Sequence, residues 1–128
     1  MIVDSNLLIL SSKPENVEIR VWLGNNVVSI SAISRLEVLG YHKLSDSERT
    51  LIEEMLETLE IIAITDPVLD GAIRLKQTKK MSLGDSSIAG TAMLHGGELA
   101  TRNLKDFQNI PGLNVGDPTR AAGSSGAI

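Results

Sequence analysis

The chain contains no cysteine, which excludes a disulfide framework, a thiolate metal site and a cysteine nucleophile together. Aromatic residues are almost as scarce. Trp22, Tyr41 and Phe107 are the full set, too few for a platform that stacks single-stranded bases. Positive charge is not in excess either. Twelve Lys and Arg against sixteen Asp and Glu give a net charge of −4, so no bulk electrostatic hold on nucleic acid is expected. No apolar run approaches the roughly 18 residues of a membrane span. The opening MIVDSNLLIL has no basic leader and carries Asp4 inside its apolar stretch, so no signal peptide and a cytoplasmic location are expected. His42 and His95 lack zinc-type spacing, and no GxxxxGK, GxSxG or GxGxxG pattern occurs.

What remains is an ordinary globular composition, 42% hydrophobic and 22% charged, in a length of 128 residues that suits one domain. Short apolar runs alternate with longer helical patterns. Strands are expected at Met1–Val3, Val27–Ser31, Ile61–Ile64, Glu98–Thr101 and Leu113–Gly116. Ser12-Lys13-Pro14-Glu15 has the form of a helix start. The following Val17, Ile19, Val21 and Leu23 alternate as a strand would, but the capping signals and the Gly24-Asn25-Asn26 stop favour helix. Further helices are expected from Ala32 to His42, after the Ser45-Asp46-Ser47-Glu48 capping signature, from Asp66-Pro67 to about Lys80, and from Ser82-Leu83-Gly84-Asp85 to Gly96-Gly97. This order implies an α/β domain over residues 1–116, with a mainly parallel sheet of about five strands between helical layers, an α/β/α sandwich. Residues 117–128, rich in Gly, Ala and Ser, are expected to form a flexible tail.

Four acids fall near the ends of strands. Asp4 ends the first strand, Glu37 lies about a turn into the helix after the second, Asp85 opens a helix, and Asp106 follows the fourth strand. In an open parallel sheet the chain leaves every strand at one common edge, where ligands bind. The four acids are therefore candidates to converge, and converging carboxylates raise one another's pKa. A divalent cation relieves that repulsion, and all-oxygen ligands favour Mg²⁺ or Mn²⁺. Each acid also has a plainer reading. Asp85 suits a helix N-cap, Glu37 a capping box with Ser34, and Asp106 an Asx turn. Asp4, interrupting an apolar run, is the hardest to explain without a partner.

The sequence resembles the PIN-domain nucleases, and among them the VapC-type toxins. The likeness is carried by Met1-Ile2-Val3-Asp4-Ser5-Asn6, Ser31-Ala32-Ile33-Ser34-Arg35-Leu36-Glu37, Leu83-Gly84-Asp85-Ser86-Ser87-Ile88-Ala89 and Ala100-Thr101-Arg102-Asn103-Leu104-Lys105-Asp106-Phe107. It spans roughly residues 1 to 116. The resemblance implies a Mg²⁺-dependent endoribonuclease, the toxin of a toxin–antitoxin pair, acting as a homodimer and paired with an antitoxin protein. It implies that Asp4, Glu37, Asp85 and Asp106 are the catalytic and metal-holding residues, with Asn6, Thr101 and Asn103 in support. Two departures keep the acids intact: Ser5 replaces a commoner threonine, and Ser86-Ser87 replaces a more apolar pair.

Arg102 and Lys105, beside the expected site, are candidates to meet an RNA phosphate. The basic stretch Arg74–Lys80 carries four positive charges, which offset a helix macrodipole in one reading and contact RNA in another. Two alternatives compete with the nuclease. A non-catalytic PIN-like module would bind RNA or protein only. A haloacid-dehalogenase-like phosphatase would need a second Asp two residues after the first, and that position is Asn6.

Overall fold

Asp4 stops the first strand after two residues, and that early stop sets the path of the chain into its first helix. The computed structural model describes residues 1–120. Strand β1 (Ile2–Val3) passes through the extended Asp4 directly into helix α1 (Ser5–Ser11), which buries Leu7, Leu8 and Ser11. This helix was not anticipated. Its Leu7–Leu10 run is apolar without interruption, so no period distinguishes helix from strand there. Ser12 is correspondingly not a helix start. It closes α1, its hydroxyl donating to the Ile9 carbonyl at 2.6 Å. Pro14 then opens a 3-10 turn (Pro14–Asn16) that leads into α2 (Val17–Gly24). The alternating pattern in α2 resolves into two i, i+4 pairs: Ile19 and Leu23 are buried, Val17 and Val21 exposed.

The remaining elements keep the expected order with bounds shifted by a few residues, except that the short helix α7 was not anticipated. They are β2 (Ser29–Ser31), α3 (Ala32–Leu39), α4 (Asp46–Thr58), β3 (Glu60–Ile62), α5 (Asp66–Thr78), α6 (Leu83–Leu94), β4 (Glu98–Ala100), α7 (Leu104–Phe107) and β5 (Asn114–Gly116). The capping box before α4 forms as its sequence requires, with Glu48 N donating to Ser45 Oγ and Ser45 N to Glu48 Oε1. Helix α5 is entered from Thr65 rather than Asp66. Residues 117–120 form a turn in which Asp117 accepts from the Thr119 amide and hydroxyl, while the rest of the expected tail, 121–128, lies outside the described residues.

The sheet has five strands, all parallel, in the order β3-β2-β1-β4-β5. It is the expected α/β/α sandwich. The pleat sends neighbouring residues to opposite faces. Val3 and Ala100 join Leu7, Leu8, Ile30, Val38 and Ile52 in one core, whereas Ile2 and Leu99 join Ile88, Ala92 and Phe107 in the other. From β1 the chain first builds outward to β2 and β3, then returns to the other side of β1 for β4 and β5. The winding direction thus reverses between β1 and β4, and the crevice at their carboxyl ends is where such a sheet receives ligands. No helix among the described residues is long and apolar enough to cross a membrane.

Helices α5 and α6 lie against each other at two glycines. A Cβ at Gly90 would stand 2.8 Å from the Val68 carbonyl oxygen and 3.1 Å from the Ala72 nitrogen, both backbone atoms that cannot easily give way. A Cβ at Gly71 would meet only the Gly90 Cα, at a comfortable 3.7 Å. Gly90→Ala is therefore expected to destabilise the domain by about 1–3 kcal/mol through overpacking. Gly71→Ala should be neutral or stabilise by up to about 1 kcal/mol through helix propensity. Urea unfolding of the two variants tests the contrast; equal midpoints would contradict it.

Candidate active site

Asp4 and Thr101 sit at the carboxyl ends of the two strands that flank the reversal. The Asp4 amide donates to the Ala100 carbonyl at 2.9 Å, continuing the β1–β4 ladder by one residue. Its carboxylate, nearly buried, accepts from the Thr101 hydroxyl at 2.7 Å. Thr101 Oγ1 in turn accepts from the Asn103 amide at 2.9 Å, so the start of the loop after β4 is fixed to the end of β1. Burial pushes the Asp4 carboxyl above the usual range, and the nearby Glu37 adds to the rise. The Thr101 hydroxyl and the amides of Ser5 and Asn6 oppose it.

Glu37 reaches the same edge from α3. Its Oε1 accepts from the Ser5 hydroxyl at 2.7 Å, and Ser5 Oγ lies 2.9 Å from Ser34 Oγ. Ser5 has one proton, which goes to the carboxylate, so the contact with Ser34 is made with the Ser34 hydroxyl donating. The capping box between Ser34 and Glu37 is absent. Ser31 is the N-cap of α3, its hydroxyl accepting from the Ile33 amide, and Ser34 is buried. On its other side Glu37 rests against Gly84 at the start of α6, where an added Cβ would collide with Oε2. Gly84 thus lets α3 deliver its carboxylate beside Asp85. Ser82, not Asp85, caps α6: its hydroxyl accepts from the Asp85 amide at 3.0 Å, which leaves Asp85 in the first turn.

The convergence is felt most strongly by Asp85. Its carboxyl is pushed up to about 6, chiefly by burial, then by the negative charges of Asp4, Asp106 and Glu37. Asp106 comes from α7, held by a hydrogen bond from the Asn103 side-chain amide, and it shares with Asp85 a cleft of about 450 Å³. An i to i+3 bond within a helical turn replaces the Asx turn considered for it. Among the described residues the ion pair is Lys13 with Glu48, and no Lys or Arg pairs with any of the four site acids.

This donor set fits a hard dication. It is all oxygen, carries four potential negative charges and, among the described residues, forms no ion pair with a basic side chain. Among the described residues no three acidic or histidine side chains stand close enough together to hold a metal ion as they are placed.

The other expected site residues divide. Thr101 and Asn103 orient Asp4 and Asp106. The Asn6 side chain is exposed and makes no hydrogen bond among the described residues; its backbone amide is what faces Asp4. Arg102 lines a different cleft, with Glu15, Glu18, Trp22 and Arg120, so it was expected at the acidic cleft and is found outside it. Lys105 is exposed on α7. Ser86 and Ser87 add no polarity to the site, because both hydroxyls donate back to the Leu83 carbonyl. Sequence reasoning missed the roles of Ser34 and Gly84; it offered the stretch Arg74–Lys80 for RNA contact without singling out Lys80, which lines the cleft with Asp85 and Asp106.

The PIN domain family model matches residues 1–113. The chain belongs to the PIN-domain family. It is 30% identical over 125 residues to the tRNA(fMet)-specific endonuclease VapC of Salmonella typhimurium, covering 90% of this chain and 95% of that protein. Among solved structures it is similar to a toxin–antitoxin complex from Klebsiella pneumoniae, at 34% identity and a TM-score of 0.72, over 94% of this chain and 98% of the other. It also matches the fold of DNA-bound VapBC from Salmonella typhimurium at a TM-score of 0.77, with 23% identity over 91% and 96% of the two chains. The reading as a VapC-type PIN-domain endonuclease of a toxin–antitoxin system is borne out, and with it the assignment as an enzyme. Nucleases of this family depend in general on divalent metal.

Two outcomes are expected from the site's geometry. The folded state binds the Asp85 proton more tightly than the unfolded chain does. In metal-free protein, the stability that this group contributes is therefore lost as pH rises from 3.8 to about 6. Asp85→Asn should raise the stability of metal-free protein at pH 7 by about 1–2 kcal/mol, a figure reduced for the half-exposed position. A thermal melt at pH 7 that is unchanged or lowered would contradict this. Gly84→Ala should leave the melting temperature within a few degrees while displacing Glu37, and so reduce cleavage at least about tenfold. Full activity in that variant would remove Glu37 from the site.

Proposed function

We propose that this PIN-domain protein hydrolyses phosphodiester bonds of RNA with Mg²⁺, Mn²⁺ serving as a substitute, and that its activity is restrained by a cognate antitoxin protein. The observation that carries the reading is the set of four uncompensated carboxylates at the β1–β4 reversal, one of them with its pKa raised to about 6. Asp4, Glu37, Asp85 and Asp106 would hold the cation. A bound Mg²⁺ supplies Lewis acidity, making water a usable nucleophile near neutral pH and stabilising charge on the leaving 3′-oxygen.

The chain's own residues contribute position. Thr101 fixes Asp4, Ser5 fixes Glu37, and Asn103 fixes Asp106, so three carboxylates are oriented before any ligand arrives. At Asp85, whose carboxyl is raised to about 6, a cation would compete with a proton as the pH falls below neutrality. In-line attack breaks the bond from phosphorus to O3′ and leaves a 5′-phosphate and a 3′-hydroxyl.

The Salmonella relative is named for action on tRNA(fMet), and the Klebsiella structure is a toxin–antitoxin complex, which supports an RNA substrate and an antitoxin partner here. A homodimer working in the cytoplasm completes the proposal. Leu36 and Leu83, exposed on α3 and α6 beside Glu37 and Asp85, offer apolar surface for a second copy.

The test uses purified protein freed of antitoxin, incubated with a transfer RNA transcript with and without Mg²⁺ or Mn²⁺. Cleavage should require the cation, stop with EDTA, and fall by at least about a thousandfold in Asp4→Ala. Undiminished cleavage in Asp4→Ala would assign the activity to a contaminant. RNA binding without turnover would favour a non-catalytic module. Hydrolysis of p-nitrophenyl phosphate alone would favour a phosphatase.

A further inference from the structure

The four carboxylates create a difficulty for the substrate as well as a place for the cation. RNA brings a phosphate at every nucleotide to a molecule of net charge −4, and it must approach the part where acids are densest. Among the described residues one basic side chain lines the cleft that holds Asp85 and Asp106. Lys80 lines the cleft of about 450 Å³ together with Met81, Ser82, Asp85 and Asp106.

Its neighbours in the basic stretch are engaged in holding it there. Lys76, in the last turn of α5, donates from Nζ to the Met81 carbonyl at 2.8 Å. Lys79 donates to the Gln108 carbonyl, just past α7, at 2.9 Å. These two bonds tie the connection between α5 and α6 to its own helix and to the end of the helix that carries Asp106. The two walls of the cleft are thereby fixed, with Lys80 between the anchored residues. Lys76 already meets the α5 macrodipole, and Lys80 lies beyond the helix end. Lys80 is exposed, and no ion pair with Asp85 or Asp106 consumes its charge.

We propose that Lys80 binds the RNA backbone, taking the phosphate next to the scissile one as the strand enters the cleft between Asp85 and Asp106. An ammonium on a flexible stem suits this task, since it tracks a moving phosphate as a point charge with three donors. The inference rests on the ribonuclease reading above and adds a substrate-binding residue to it.

Cleavage of a transfer RNA transcript is measured with Mg²⁺ over a range of KCl for the wild type, Lys80→Ala, Lys80→Arg and Arg74→Ala. Arg74→Ala removes the same charge from an exposed position on α5. Binding is read in parallel by fluorescence anisotropy in an Asp85→Asn background. Lys80→Ala should raise KM about tenfold at low salt, leave kcat within about threefold, and flatten the logarithmic salt dependence of binding by about 0.7–0.9. Lys80→Arg should restore most of the loss, and Arg74→Ala should behave as wild type. If Lys80→Ala matches Arg74→Ala in KM and in salt slope, or lowers kcat alone, the proposal is wrong. A wild type that cleaves no RNA overturns the ribonuclease reading itself, and this inference with it.

Discussion

Mutual repulsion among carboxylates is the constraint on which the rest of this structure depends. Asp85 is half-buried at a sheet edge that it shares with Asp4, Glu37 and Asp106, and its burial, with their charges adding to it, gives a carboxyl that yields its proton reluctantly. Left to themselves, such side chains would swing apart into solvent. Hydroxyl and amide donors prevent that, since Ser5, Thr101 and Asn103 each hold one acid in place. The fold therefore holds its acids in an arrangement that costs stability, and the cation proposed above would relieve it.

The topology makes this arrangement possible with little machinery. The carboxyl ends of β1 and β4 are adjacent because the winding direction reverses between them, and Asp4 and Thr101 come directly after those two strands. Helices α3, α6 and α7 supply Glu37, Asp85 and Asp106, Gly84 allowing the close approach of Glu37. Each acid is thus one short step from a rigid element. None depends on a long loop for its position.

Much of this was legible in the sequence wherever the determining interactions are local. The Ser45–Glu48 capping box spans four residues and could be read directly, as could the strands at turn-bounded apolar runs. Helix α1 was illegible because Leu7–Leu10 lacks any polar residue to mark a face. The family motifs pointed to the four acids, but not to what holds them. Ser34 and Gly84 act through contacts with residues far away in the chain, and their neighbours in sequence give no hint of it. Arg102 illustrates a subtler limit. Thr101 turns toward Asp4, while Arg102, at the bend that follows β4, lines another cleft. Adjacency in sequence did not mean adjacency in the site.

The bond between Thr101 and Asp4 joins residues 97 positions apart, and β1 acquires its second neighbour only when β4 is present. A chain emerging from the ribosome therefore carries Asp4 for most of its synthesis without the strand that completes its surroundings. Domains are made from the N-terminus and fold as units. The pairing and the hydrogen bond that complete the surroundings of Asp4 therefore wait until residues 98–101 have been made.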